Sequence, residues 1–312
     1  MKKIDLNFFP GWVRKSMTFT IDDGNLKLDR KFLDITEPAG LKGTFNLNTP
    51  LKRGTPEEYK AFYEGYEVTN HCKYHPRAFS ERTPWRPVCN EVFDKATANP
   101  EYLYPAEEEG VYWAHDHKQG RWWHVASDEK YLACALDATA ELENVFGKGS
   151  IKDFVWPFGA QQNEVVFEGL KKQGFRSIRK TGNVMDSTGF ALPADRMAWS
   201  YNANNTCMEE VGAKYETYPD DGELKFFAFG VHSHDFENAD CWDVLIDFCE
   251  KYGNRPDTFW YASVGEIFAY EDAVKAVQIT DEKIINPSPI DLYIKIDGEK
   301  VELKANSEIY IE

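Results

Sequence analysis

The sequence predicts an α/β fold built on a mostly parallel sheet, open or closed into a barrel. Two observations predict it. Short β-prone runs alternate with segments of near-helical apolar spacing, the order that crossover connections between parallel strands require. Several of those runs also end in carboxylates or imidazoles, and in such folds the chemistry collects at the C-terminal ends of strands. A chain of 312 residues is long enough to surround one large core or to divide into two domains.

Taken in order, residues 17–21 read as a strand ending in Asp22-Asp23-Gly24. Residues 27–39 follow as a helix, with Leu28, Phe32, Leu33 and Ile35 near helical spacing and a stop over 38–43. Residues 43–47 read as a second strand. Thr55 opens the next helix: Pro56 suits its first position, and Glu57 and Glu58 face the positive end of its dipole. Residues 66–69 make a third strand just before His71. The alternation resumes with a helix over Asp128–Phe146, a strand over 153–156 and a helix over 163–173 stopped by Gly174. A strand over 175–179, a strongly apolar strand over 225–231 and a helix over 240–252 complete it.

Two stretches depart from this pattern. Residues 76–127 have weak periodicity, are too long for a simple connection, and hold Trp85, Tyr102, Tyr104, Tyr112, Trp113, Trp122 and Trp123. They read either as an insertion with a small core of its own or as a substrate lid or platform. Toward the C-terminus, residues 290–296 and 300–303 alternate around Asp297-Gly298, a strong hairpin signal, and 308–311 make a third run. A main domain over 1–278 and a small structural β tail over 279–312, packed on it, are therefore expected.

Composition narrows the function. A net charge of −16 disfavours nucleic acid and anionic membrane surfaces, whose partners concentrate Lys and Arg. The longest apolar run, 226–231, falls far short of the roughly 20 residues that cross a bilayer. The first 17 residues lack the apolar core of a signal peptide, so the chain, taken as complete, is expected in the cytoplasm. Six scattered cysteines with no C-x-x-C pair read as buried free thiols rather than a disulfide scaffold. Aromatic residues at 15% of the chain exceed what a core of this size needs, so either the core is unusually ring-rich or some rings line a site.

Three strand ends hold the reactive side chains: Asp22 and Asp23, then His71 and His75, then His232 and His234. Histidines four apart can present two imidazoles on one side of a turn, and one carboxylate would complete a three-ligand metal site with an open position. Adjacent carboxylates in a β conformation point to opposite faces. Asp22 and Asp23 can therefore serve one site only if the chain turns between them, one ligating and the other moving a proton.

These residues resemble the carbohydrate esterase family 4 polysaccharide deacetylases, the NodB homology domain. Thr18-Phe19-Thr20-Ile21-Asp22-Asp23-Gly24 is similar to the family's T-F-D-D-G, Asn70-His71-Cys72-Lys73-Tyr74-His75-Pro76 to N-H-x-x-x-H-P, and Trp156-Pro157-Phe158-Gly159 to R-x-P-Y-G. The segment Gly230-Val231-His232-Ser233-His234-Asp235-Phe236 stands where the family has its last catalytic histidine. The resemblance implies a distorted, incomplete (β/α) barrel of about seven parallel strands, carrying the aromatic-rich insertion and the β tail. It implies Asp23, His71 and His75 as ligands of a divalent metal, most often zinc, Asp22 as general base, His232 as general acid and the Phe158 backbone N–H as an oxyanion donor. Trp156, His234 and Trp113 are then expected to contact substrate.

Two departures stand out. Val155 occupies the place of the R-x-P-Y arginine, which in the family orients the catalytic aspartate. Arg179, on a neighbouring strand, either reaches that carboxylate instead or is a surface residue beside Lys180. The D-x-x-D-W segment has no counterpart, since Trp199-Ser200-Tyr201-Asn202 lacks its acids. The expected activity is metal-dependent removal of N-acetyl groups from an acetylated carbohydrate, with homo-oligomerisation left open. A hydrolase of small cyclic amides, as in allantoinase-like relatives, and a carbohydrate-binding relative that has lost catalysis are the alternatives.

Overall fold

The structure, a computed structural model, describes residues 2–78, 86–159, 164–180 and 189–311. Eight strands paired in parallel form its main sheet: β1 (Lys15–Asp22), β2 (Gly43–Thr49), β3 (Glu67–Lys73), β4 (Asp153–Val155), β5 (Ser177–Lys180), β6 (Trp199–Ser200), β7 (Lys225–His232) and β8 (Phe259–Tyr261). Seven follow the order β6-β5-β4-β3-β2-β1-β7, while β8 pairs with the first residues of β1. The ends of this path are joined by an isolated bridge, Ala203↔Phe229, and β3 meets β4 through the pair Asn70↔Phe154. The result is the distorted, incomplete barrel that the family resemblance implies.

Alternation along the strands sorts the side chains. Phe19, Ile21, Phe45, Leu47 and Val68 are buried in the layer that packs against the helices Leu26–Thr36 and Trp242–Tyr252. Thr20, Thr44, Asn46, Thr69, Val155 and Arg179 instead line a small interior cavity. The helix opened by Thr55 forms over Pro56–Phe62 with a complete capping box between Thr55 and Glu58. All six cysteines are free, and four are buried.

The insertion folds as a four-stranded sheet ordered Arg77–Ala78, Arg121–Ala126, Val111–Asp116, Tyr104–Pro105. Its small core comprises Leu103, Ala114 and Val125; Trp85 lies outside the described residues. In the tail, Leu292–Ile296 and Glu299–Leu303 pair as a hairpin around Asp297 and Gly298, both at positive φ, as primed hairpin turns demand. The chain's own first strand, Ile4–Phe8, pairs antiparallel with Leu292–Ile296. The 1–278 and 279–312 segments therefore share a sheet. Ser307–Tyr310 joins a different sheet, against Lys283–Asn286.

Candidate active site

The site begins where β1 ends. Asp22 is its last residue, buried and pointing into the barrel, and Asp23 takes φ +80°. Asp tolerates this left-handed conformation better than most residues. The turn breaks the alternation and leaves both carboxylates facing the same histidines. Asp23 Oδ1 lies 3.8 Å from Nε2 of His71 and 3.8 Å from Nε2 of His75, and Asn48 Nδ2 donates to the same oxygen at 3.0 Å.

His71 and His75 come from the irregular end of β3, where Cys72, Tyr74 and His75 all have positive φ; such clusters of sparsely populated backbone collect at functional sites. Asn70 pins the turn. Its Nδ2 donates to the Ala135 carbonyl and Thr139 Oγ1 of the helix Asp128–Phe146, and its Oδ1 accepts from the Cys72 N–H. His71 Nδ1 donates to the Val155 carbonyl at 2.9 Å, which leaves the lone pair on Nε2. That atom faces His75 Nε2 at 3.1 Å. Burial, and then the neighbouring His71, hold the His75 imidazole neutral, its pKa pushed down to about 3. Two imidazole nitrogens and a carboxylate oxygen, all within 4.8 Å of one another, converge on one point as the ligands of a divalent cation do. This donor set fits the implied metal.

Asp22 is held from inside the barrel. Arg179, buried on β5, donates from Nη2 to Oδ1 at 2.5 Å and to Oδ2 at 2.6 Å. Asn46 Nδ2 donates to Oδ1 at 2.6 Å. Burial raises the carboxyl pKa, but Arg179, then His71 and His232, overcome it and hold the group well below the usual carboxylate range. Of the two readings of Arg179, the structure selects the one in which it reaches Asp22.

His232 stands on the other side of Asp22, its Nε2 3.9 Å from Oδ2. Its Nδ1 donates to Asp235 Oδ2 at 2.8 Å, three residues on in the helix Ser233–Asn238. Burial disfavours the imidazolium, yet this bond and the charges of Asp22 and Asp23 raise its pKa to about 9. His232 is thus protonated at neutral pH. His234 lies beside it, Nδ1 4.0 Å from Asp23 Oδ2.

Around this centre, Phe158 takes φ +57° in the turn Pro157–Gly159, and its ring meets His75 at 4.4 Å and Trp123 at 4.6 Å. The Arg77 guanidinium covers both rings, 4.3 Å from Phe158 and 5.0 Å from Trp123. Two expected substrate contacts need correction. Trp156 is only 4% exposed and packs between Tyr131 and Phe154 in the core, because it follows β4 on the side facing the helix Asp128–Phe146. Trp113 stacks on Phe93 and meets the His124 ring at a tilt within the insertion. The pairs Trp113↔His124 and Ala114↔Trp123 put Trp113 and Trp123 on opposite faces of the hairpin, and Trp123 is the ring beside the site.

The profile of the polysaccharide deacetylase family matches residues 13–178, more than half of the chain. The chain belongs to the polysaccharide deacetylase family. The match ends one residue before Arg179, so any roles of Arg179, His232 and Asp235 in this chain rest on its own geometry. No curated protein matches it in sequence. Solved structures similar to it include the chitin deacetylase of Colletotrichum lindemuthianum, at 14% identity, covering 81% of this chain and 87% of that one with a TM-score of 0.44. A family 4 carbohydrate esterase of Bacillus subtilis matches at 12% identity, with 86% of each chain covered and a TM-score of 0.45. A family 4 pseudoenzyme from Bacillus anthracis matches at 12% identity, covering 82% of this chain and 66% of that one, with a TM-score of 0.44.

Proposed function

We propose that this member of the polysaccharide deacetylase family is a metal-dependent hydrolase that removes N-acetyl groups from an acetylated sugar or oligosaccharide. The observation that carries the reading is the position of Asp22 Oδ2, 3.8 Å from His71 Nε2 and 3.9 Å from His232 Nε2. A base and an acid thereby meet at one edge of a three-ligand donor set. Asp23, His71 and His75 would hold a divalent cation, with zinc suited to two imidazoles and a carboxylate. Such a cation, when bound, polarises the amide carbonyl and acidifies water.

The chain's own residues supply the proton transfers. Asp22 takes a proton from the attacking water as the new C–O bond forms. His232, kept protonated by Asp235, gives its Nε2 proton to the amide nitrogen as the C–N bond breaks. Acetate and the free sugar amine leave. The Phe158 backbone N–H is assigned to the developing oxyanion. The binding-protein alternative loses its motive, because Arg179 supplies the guanidinium that Val155 does not.

The test is acetate release from chito-oligosaccharides and other acetylated sugars, run beside cyclic amides, with added metal and with EDTA. Metal-dependent acetate release is expected. Turnover confined to cyclic amides would move the substrate class, and no turnover of either would overturn the hydrolase reading.

A further inference from the structure

We propose that Asn46 is a positioning residue for the base: it occupies Oδ1 of Asp22 and leaves Oδ2 as the proton-accepting atom, while Thr69 holds Asn46 in place. The inference rests on the hydrolase reading above. Three adjacent parallel strands bring these residues together in register, since Asp22↔Asn46 and Asn46↔Thr69 are Cα partners of β1, β2 and β3. All three are buried and belong to the inward-facing set of their strands.

The two oxygens of Asp22 have different surroundings. Oδ1 accepts from Arg179 at 2.5 Å and from Asn46 at 2.6 Å, which uses both of its lone pairs. Oδ2 accepts from Arg179 at 2.6 Å and turns its other lone pair toward His71 and His232. An ionised carboxylate can only accept, so the Nδ2 end of Asn46 must face it. The second Nδ2 hydrogen goes to Thr20 Oγ1 at 2.8 Å, and the Asn46 carbonyl oxygen accepts from the Thr69 hydroxyl. Every polar atom of the Asn46 side chain is engaged, so the carboxamide has one orientation and Asp22 one rotation.

The test contrasts two substitutions at Thr69, one residue away from the base. Thr69→Val keeps the shape and removes the hydroxyl; Thr69→Ser keeps the hydroxyl and removes a methyl group. We expect Thr69→Val to lower kcat about tenfold, the loss of one aligned hydrogen bond, with KM and bound metal unchanged, and Thr69→Ser to stay within about twofold of wild type. Asn46→Leu should lower kcat further, again with KM unchanged. A purely structural role would move the melting temperature and leave kcat of the folded, metal-loaded protein alone; that outcome, or a greater kcat loss in Thr69→Ser than in Thr69→Val, overturns the proposal. If wild type turns over no substrate, the hydrolase reading fails instead, and crystal structures of the same two variants decide the positioning claim. The Asn46–Asp22 contact must then be lost in Thr69→Val and kept in Thr69→Ser; its persistence in both overturns the proposal.

Discussion

Arg179 and Val155 are Cα partners on the adjacent strands β5 and β4. Position 155 is where the family motif places its arginine, and here the guanidinium arrives from one strand over, in register, to grip both oxygens of Asp22. Parallel pairing allows this exchange because partnered residues on neighbouring strands point to the same side of the sheet.

Arg179→Ala should therefore lower kcat by roughly a hundredfold, about 2.7 kcal/mol of transition-state stabilisation, while metal content stays near wild type. Arg179→Lys should recover little, because both bonds to Asp22 come from Nη2, one bond further along the side chain than a lysine Nζ extends. The exchange Val155→Arg with Arg179→Val should regain about tenfold over Arg179→Ala. Steady-state kinetics of the four proteins check this, and an exchange variant no better than the alanine variant would count against positional equivalence.

Ligand and base roles separate by metal analysis. His71→Ala should lose the bound ion, since its Nε2 faces both Asp23 and His75. Asp22→Asn should keep the ion, hold sugar, and have no measurable turnover. Elemental analysis together with acetate release distinguishes them, and a metal content unchanged in His71→Ala would refute the ligand assignment.

On the hydrolase reading, Asp235 should set the alkaline limb of the rate. The imidazolium of His232 persists to about pH 9 because Asp235 and the two aspartates outweigh burial. Asp235→Asn removes the first of those partners, so the pKa of His232 falls and the alkaline limb of kcat/KM moves to lower pH. The acid limb should hold its place, and a pH–rate profile of both proteins measures the shift.

A separate pH effect falls on stability. Asp29 is buried between the helices Leu26–Thr36 and Ser233–Asn238, accepting from Ser233 Oγ at 2.6 Å and from Tyr63 OH at 2.5 Å. Burial raises its pKa to about 6, against those two bonds. The unfolded chain holds its proton less tightly, so this group's stabilisation is complete below about pH 4 and is lost as pH rises through about 6. On the order of 2–3 kcal/mol is involved. A carboxamide cannot ionise, so Asp29→Asn should flatten stability between pH 4 and 7 relative to wild type in urea unfolding curves.

Much of the barrel was legible because its strands and helices carry strong local signals: the apolar run of β7, the capping sequence at Thr55, the Asp-Gly turn of the tail. The donor set was legible because each ligand lies in a short motif at a strand end, His71 and His75 four residues apart and Asp23 directly after Asp22, and those motifs resemble a known family's. What escaped depends on pairings remote in sequence. Asn46 reads as an ordinary strand residue until its register with Asp22 is known, and Trp123 differs from Trp113 only by the face of the hairpin it occupies. The strand Ile4–Phe8 gives little local signal, because its partner lies near the other end of the chain. Asp235 has a local cue, lying three residues after His232 at helical spacing.

The root of the insertion has an architectural consequence. Residues Arg77 and Ala78, immediately past the His75-Pro76 turn, pair with Val125 and Ala126 just before the helix Asp128–Phe146. The two ends of the excursion are thus held to each other, running parallel, beside the His75-Pro76 turn, while Val111 and Ala126 pack into the same core as Tyr131 and Phe154. Because these ends already meet, changes in the length of the loops beyond the insertion's sheet cost little in loop closure, and Asp22 and Asp23, held at the end of a different strand, need not move with them.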